Sequence, residues 1–251
     1  MASIGYGNVA ASAQTKISFY KKDKPAYFVS SMIAGICVGI CMITILVMAG
    51  MLNDFAGIKI LQGVSFAAAL SLVVFGGAEL FTGNVFVMTA GVMQGTIKRR
   101  DAFGLCAYCY IGNLAGSLLI AALFLWTGYL QGPVLAEAAA AIYAKTNPHF
   151  IELFVRGILC NMLVCAAVWC AYRMQSESGK LIMIFWCIYL FVVCGFEHSI
   201  ANMTLFGMGT MISVEKIPPM AINLLAVTLG NILGGWLLSL AYWIIGRREG
   251  V

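Results

Sequence analysis

Apolar residues run along this chain in stretches too long and too continuous to be one face of a soluble helix. Six of them, at about 26–51, 60–95, 103–128, 150–172, 181–211 and 218–246, reach or exceed the roughly 20 residues that carry a helix across a bilayer. Polar punctuation separates them: Asn53-Asp54, Lys98 to Asp101, Gln131 to His149, Arg173 to Lys180 and Ser213 to Pro219. The runs are apolar on every face, without the alternation of a barrel strand, so they predict spanning helices. The expected fold is an all-α polytopic membrane protein with six transmembrane helices.

Two runs are too long for one straight span. As a helix, residues 60–95 would extend roughly 50 Å against a hydrocarbon core of about 30 Å. Each long run also carries a polar cluster near its middle, Gly76 to Asn84 in the second and Gly195 to Asn202 in the fifth. Non-helical backbone survives at membrane depth only where protein buries it or a cavity is lined by it. Helices 2 and 5 are therefore expected to be broken.

The two clusters share a frame. Gly77-x-Glu79-x-x-x-x-Asn84 matches Gly195-x-Glu197-x-x-x-x-Asn202 at an offset of 118 residues. The same offset carries Gly112-Asn113-x-x-Gly116 onto Gly230-Asn231-x-x-Gly234, and Gly39-Ile40 onto Gly157-Ile158. The chain reads as two three-helix repeats, about 26–128 and 150–246. Three is odd, so the second repeat enters the membrane inverted, with a pseudo-two-fold axis in the membrane plane and the broken helices meeting near the midplane. The paired Gly-x-x-x-Gly steps read as close helix contacts; Asn113 and Asn231 are expected to bond interrupted backbone.

Composition narrows the function. Of 251 residues 62% are hydrophobic and 10% charged, at a mean hydropathy of +0.94. A soluble domain carries about 25% charged residues, so these values exclude one, together with disorder, nucleic-acid binding and a secreted disulfide scaffold. The chain is read as one transport domain, 1–251, embedded in a lipid bilayer. Its segment 1–25 is polar, is expected on the cytoplasmic side and lacks the apolar core of a signal peptide.

Basic residues set the orientation. Lys16, Lys21, Lys22, Lys24, Lys98, Arg99, Arg100, Arg173, Lys180, Arg247 and Arg248 share the side of the N-terminus, against Lys59, Lys145, Arg156 and Lys216, a bias of eleven to four. Both termini are expected to be cytoplasmic, in the cell membrane. The nine cysteines sit within apolar runs; Cys106-x-x-Cys109 has no second pair and no nearby His. Neither metal nor cofactor is expected.

His198 is the one side chain at membrane depth that changes charge near neutral pH, and intramembrane ionisable groups mark pathways. Such a group can attract an anion and hand it a proton. Glu79 and Glu197, with Asn84 and Asn202, are read as supports of the helix breaks, the carboxylates accepting bonds from orphan amides. Thr82, Asn161 and Asn223 are polar positions suited to line a path. Phe66, Leu70 and Phe191, before the breaks on the cytoplasmic side, and Phe81, within the first break, are candidates for apolar constrictions, with plain helix packing as the alternative. Lys145 and Lys16 are candidates for concentrating anions at the two mouths. An aquaporin-type channel for neutral solutes is the competing reading, although its paired Asn-Pro-Ala loops are absent; an embedded enzyme would need ligands or a catalytic cluster that this pattern lacks.

Four motifs resemble the formate/nitrite transporter family: Gly77-Ala-Glu-Leu-Phe-Thr-Gly-Asn84, Arg156-Gly-Ile-Leu-Cys-Asn161-Met-Leu-Val-Cys165, Gly195-Phe-Glu-His-Ser-Ile-Ala-Asn-Met203 and Asn223-Leu-Leu-Ala-Val-Thr-Leu-Gly-Asn231. The resemblance spans about residues 15–248. Met162 and Ala226 stand where the family usually has Trp and Pro. The resemblance implies a homopentamer of aquaporin-like six-helix protomers, each passing small monovalent weak-acid anions: nitrite, formate or hydrosulfide, with the nitrite and hydrosulfide branches nearer. It also implies that His198 is the central pore histidine with Thr82 and Asn223 as polar partners. It implies Leu70, Phe66 and Phe191 at a cytoplasmic constriction, and Phe81, Asn161 and Val164 at an outer one.

Overall fold

The computed structural model describes residues 2–52, 55–212 and 217–248, and every regular element among them is a helix. Asn53, Asp54 and residues 213–216, which include Lys216 of the basic count, lie outside the described residues.

Helix α1 (Ala2–Lys22) was expected only as a polar cytoplasmic segment. It buries Tyr6, Val9, Ala13 and Ile17, one stripe at spacings of three and four. That stripe packs on α5 (Phe81–Met93) and α11 (Ile217–Arg248). Asp23 then accepts from the Ala26 amide at 2.9 Å, and Pro25 sits in the first turn of α2 (Lys24–Met51). Side-chain cap and proline together start the new helix at once.

The remaining elements are α3 (Ile58–Phe66), α4 (Ala68–Phe75), α6 (Arg99–Trp126), α7 (Gly132–Thr146), α8 (Phe150–Arg173), α9 (Glu177–Val193) and α10 (Ser199–Ile212). Among the described residues, five helical stretches are long and apolar enough to cross a membrane: α2, α3 with α4, α6, α8 and α11. The run expected as a further span arrives in two pieces, α9 of 17 residues and α10 of 14. Bulky apolar side chains such as Phe103, Trp126, Ile151 and Trp186 face outward on these helices. The molecule is a multi-pass membrane protein. Helix α7, within what read as loop, is too short to span and lays Val134, Ala138 and Ile142 against the bundle.

Both long runs break as their residues dictate. After α4 and after α9 a glycine takes the left-handed conformation, Gly77 at φ 66° and Gly195 at φ 69°. The amide of Ala78 reaches back to the Val73 carbonyl at 2.9 Å, and that of Phe196 to Phe191 at 3.0 Å. These are the six-to-one closures of a glycine-terminated helix. Three extended residues follow before helix resumes at Phe81 and Ser199.

Asparagines satisfy the exposed backbone. Asn113 Oδ1 accepts from the Phe81 amide at 2.9 Å, while its Nδ2 donates to the carbonyls of Glu79 and Ser31. Asn231 does the same for Ser199, Glu197 and Gly157, again with 2.9 Å to the amide. The flanking glycines make room: a Cβ on Gly116 would collide with the Met32 carbonyl, and one on Gly234 with that of Ile158.

These pairs correct one piece of the repeat. Glu79 and Glu197, like Asn113 and Asn231, correspond at 118, but their partners do not. The amide of Glu79 bonds Ser30 and that of Glu197 bonds Arg156, so α2 maps onto α8 at 126. Gly39, which meets Ile120 and Thr204, is no counterpart of Gly157, which meets Val227 and Gly230. The eight-residue difference is a shorter connection before the second break.

Candidate functional site

Two open cavities approach the breaks from opposite ends. One, of about 430 Å³, is lined by Lys59, Lys145, Arg156, Glu197, His198, Phe66 and Phe191. The other, of about 540 Å³, is lined by Lys16, Glu79, Asn84, Glu177, Lys180, Leu70 and Leu80. Between them lies a chamber of only about 10 Å³, walled by Val38, Phe66, Ala69, Leu70, Leu80, Val164, Ile188, Phe191 and His198. That is room for about one water molecule. Phe66, Phe191 and His198 belong to both the Lys145 cavity and the chamber; Leu70 and Leu80 belong to both the Lys16 cavity and the chamber. The three spaces therefore lie in series.

Among the described residues, His198 is the single polar side chain in the chamber wall. It precedes the first residue of α10, and its Nδ1 lies 3.2 Å from the Ala201 amide, which donates to it. A nitrogen that accepts there carries no proton, so the ring proton sits on Nε2 and points to Thr82 Oγ1 at 3.1 Å. Phe191 stacks on the ring at 6.0 Å and 17°, and Phe66 meets Phe191 edge-on at 5.9 Å. The result is a fixed N–H donor behind two aromatic rings.

Each cavity holds an ion pair between a partly buried lysine and a buried glutamate. Lys16 Nζ lies 2.6 and 2.7 Å from the Glu79 carboxylate oxygens, and Lys145 Nζ lies 2.8 Å from both oxygens of Glu197. Asn84 and Asn202 donate to the same carboxylates at 2.8 and 2.7 Å. Glu79 and Glu197 thus bind lysine and asparagine rather than the orphan amides expected of them; Asn113 and Asn231 hold those amides. Burial opposes the Lys16 ammonium, but the Glu79 carboxylate more than offsets it, and Lys16 keeps its proton above the usual lysine range.

The structure distributes the other candidates unevenly. Phe66 and Phe191 stand on the Lys145 side, not the Lys16 side, because α3 enters from the end of the molecule that carries Lys59 and Phe66 comes before Leu70 on the way in. Val164 lines the chamber itself. Phe81 points away into an exposed apolar groove of about 940 Å³ with Tyr110 and Trp236. Asn161 lines none of the three spaces and donates to the Thr82 and Asn231 carbonyls at 3.2 and 2.6 Å. Asn223 does not reach His198; it bonds Asn202 and the Lys145 carbonyl. Of the paired cysteines, Cys109 donates its thiol to the Glu79 carbonyl at 3.2 Å and packs inside the first break.

Leu80, Val38, Ile188 and Ala69 are chamber residues that the sequence did not single out. The repeat carried the signal: Leu80 is His198 less 118 and Ile188 is Leu70 plus 118, while Val38 is Val164 less 126.

Residues 5–244 match the family described as Formate/nitrite transporter. The nitrite transporter NirC of Escherichia coli (strain K12) is 37% identical over 94% of this chain and 90% of that protein. The formate channel FocA of the same strain is 34% identical over 78% of this chain and 76% of that protein. Among solved structures, an FNT family ion channel superposes with a TM-score of 0.88 at 34% identity, covering 96% of this chain and 98% of that one. A pentameric formate channel with formate bound gives 0.77 at 30% identity, covering 90% and 98%. These relatives are transporters and channels, not enzymes, and this chain belongs to the formate/nitrite transporter family.

Proposed function

We propose that this protein conducts small monovalent weak-acid anions, nitrite foremost and formate next, across the cytoplasmic membrane, with a proton accompanying each anion at His198. The observation that carries this reading is one imidazole, bonded to Thr82, in a narrow apolar chamber between two lysine-bearing cavities. A bare anion cannot enter so small an apolar space without losing its hydration, whereas a neutral acid escapes most of that penalty. Lys145 and Lys16 raise the local anion concentration in the two open cavities, and the anion takes up a proton there. In the chamber Nε2–H of His198 donates to the acid's oxygen in place of Thr82. The imidazole itself does not hand over the proton: with Nδ1 engaged by Ala201, loss of the Nε2 proton would leave a buried anionic ring. Leu70 and Leu80 close the chamber toward Lys16, and Phe66 and Phe191 close it toward Lys145. Val164 forms part of its wall, and Asn161 and Thr82 brace it.

The paired hydrogen bonds at both breaks support two inverted three-helix repeats with the second and fifth spans interrupted. The bias of basic residues supports cytoplasmic termini, with Lys145 facing outward. The likeness to a pentameric channel supports five copies, each with its own path. Flux of nitrite, formate and hydrosulfide in competition on one reconstituted sample tests the reading. Saturable flux that falls about tenfold in His198→Ala and less in His198→Asn, which keeps a donor, is the expected result. Unchanged flux in both variants would overturn it.

A further inference from the structure

Asn223 on α11 is fully buried and lines none of the three spaces, yet it ties together the mouth that holds Lys145. Its Nδ2 donates to the backbone carbonyl of Lys145 at 2.6 Å. That carbonyl is in the last turn of α7, where a helix leaves its carbonyls without internal partners. Its Oδ1 accepts from Asn202 Nδ2 at 2.9 Å, and Asn202 Nδ2 also donates to Glu197 Oε2 at 2.7 Å. Glu197 grips the Lys145 ammonium. The bonds form a closed loop through Asn223, Asn202, Glu197 and Lys145.

The other half of the molecule provides the control. At the offset of 118, Leu105 occupies the place of Asn223, fully buried and without any polar group to offer. There Tyr27 does a different job: its hydroxyl donates to Glu79 Oε2 at 3.0 Å and accepts from Asn84 at 3.0 Å. Tyr27 has Leu153 as its counterpart at 126, also buried. One mouth is braced at its carboxylate, the other at the backbone that carries its lysine.

We propose that Asn223 is a positioning residue for anion entry: by holding the end of α7 it fixes the Lys145 ammonium over Glu197 and so sets how readily a monovalent anion is captured on that face. The inference rests on the anion conduction proposed above. It assigns Asn223 to the mouth rather than to the partnership with His198 that the family resemblance implied.

The test is nitrite flux into proteoliposomes holding the full-length protein, measured against nitrite concentration and ionic strength. Asn223→Leu, which installs the residue of the other repeat, should raise the half-saturating concentration roughly five- to tenfold and leave maximal flux within about twofold. It should also flatten the dependence on salt, since the screened attraction is what it weakens. Lys145→Ala should do the same, and the double variant should be no worse than Lys145→Ala alone. If Asn223→Leu fails to assemble, Asn223→Ser carries the same expectations. An unchanged half-saturation, a loss confined to maximal flux, or losses that multiply in the double variant would each overturn the proposal. Absence of saturable nitrite or formate flux in the unaltered protein would instead overturn the function on which it rests.

Discussion

At the residue scale the account turns on how few polar atoms the chamber contains. His198 was legible in the sequence because an imidazole inside an apolar run is conspicuous; its opposite number Leu80 was not, because leucine in a membrane helix carries no mark. Asn223 and Asn161 were legible as polar positions but not in their roles, since an amide in a span reads alike whether it faces a path or a backbone carbonyl. Phe81 misled for a similar reason: it adjoins the break, yet its side chain leaves on the opposite face of α5 toward Tyr110. Enlarging the chamber should remove what excludes hydrated ions. Leu80→Ala is expected to admit chloride, read as chloride efflux from loaded proteoliposomes; efflux no faster than from the unaltered protein would contradict its place in the constriction. Lys16 yields a pH expectation. Its raised pKa means that the Lys16–Glu79 pair contributes fully below the unfolded lysine value of about 10.4 and is lost only as pH rises through the higher folded value. Between about pH 5 and 9 Lys16 does not titrate. Lys16→Met should therefore lower nitrite flux without moving its pH profile, and a displaced profile would assign the titration to Lys16.

At the element scale, the interruptions were written in the chain by Gly77 and Gly195, which take the left-handed turn that ends each half-helix, and by two carboxylates and two asparagines that are costly on a lipid-facing helix. What could not be read was which atoms those groups engage. The carboxylates went to lysines on α1 and α7, helices that polarity and shortness disguised as loops. The first of the six runs was also matched to the fourth in the wrong register, at 118 instead of 126, because one offset was carried through a connection that had lost eight residues. Asn113 and Asn231 now stand as the parts that hold the half-helices in place. Asn113→Ala leaves the Phe81 amide with no partner and takes one bond each from the Glu79 and Ser31 carbonyls, and is expected to cost about 2–4 kcal/mol, whereas Gly77→Ala, which only strains a left-handed residue, costs about 1 kcal/mol. Thermal unfolding in detergent ranks the two; a milder effect for Asn113→Ala would contradict its role.

At the scale of the whole molecule, the proposed path lies within a single chain, so assembly and conduction are separable in the proposed pentamer. The apolar groove that takes Phe81, together with Tyr110, Ile232 and Trp236, lies on the outer wall and away from the chamber. In the proposed assembly the solubilised particle has five times the 27.0 kDa mass of the chain, measured by light scattering after correction for detergent. The membrane-spanning architecture was readable because lipid tolerates no polar face; the number of copies was not, because lipid and a neighbouring protomer ask for the same apolar surface. The central claim is that an anion crosses with its proton. Its most direct test is the internal pH of proteoliposomes under an imposed inward gradient, comparing nitrite with nitrate, ions of like charge and similar size whose acids differ greatly in strength. Rapid internal acidification with nitrite, none with nitrate, and loss of the nitrite signal in His198→Ala are the predicted results. Nitrate entering as fast as nitrite, or nitrite entering with no change in internal pH, would contradict the account.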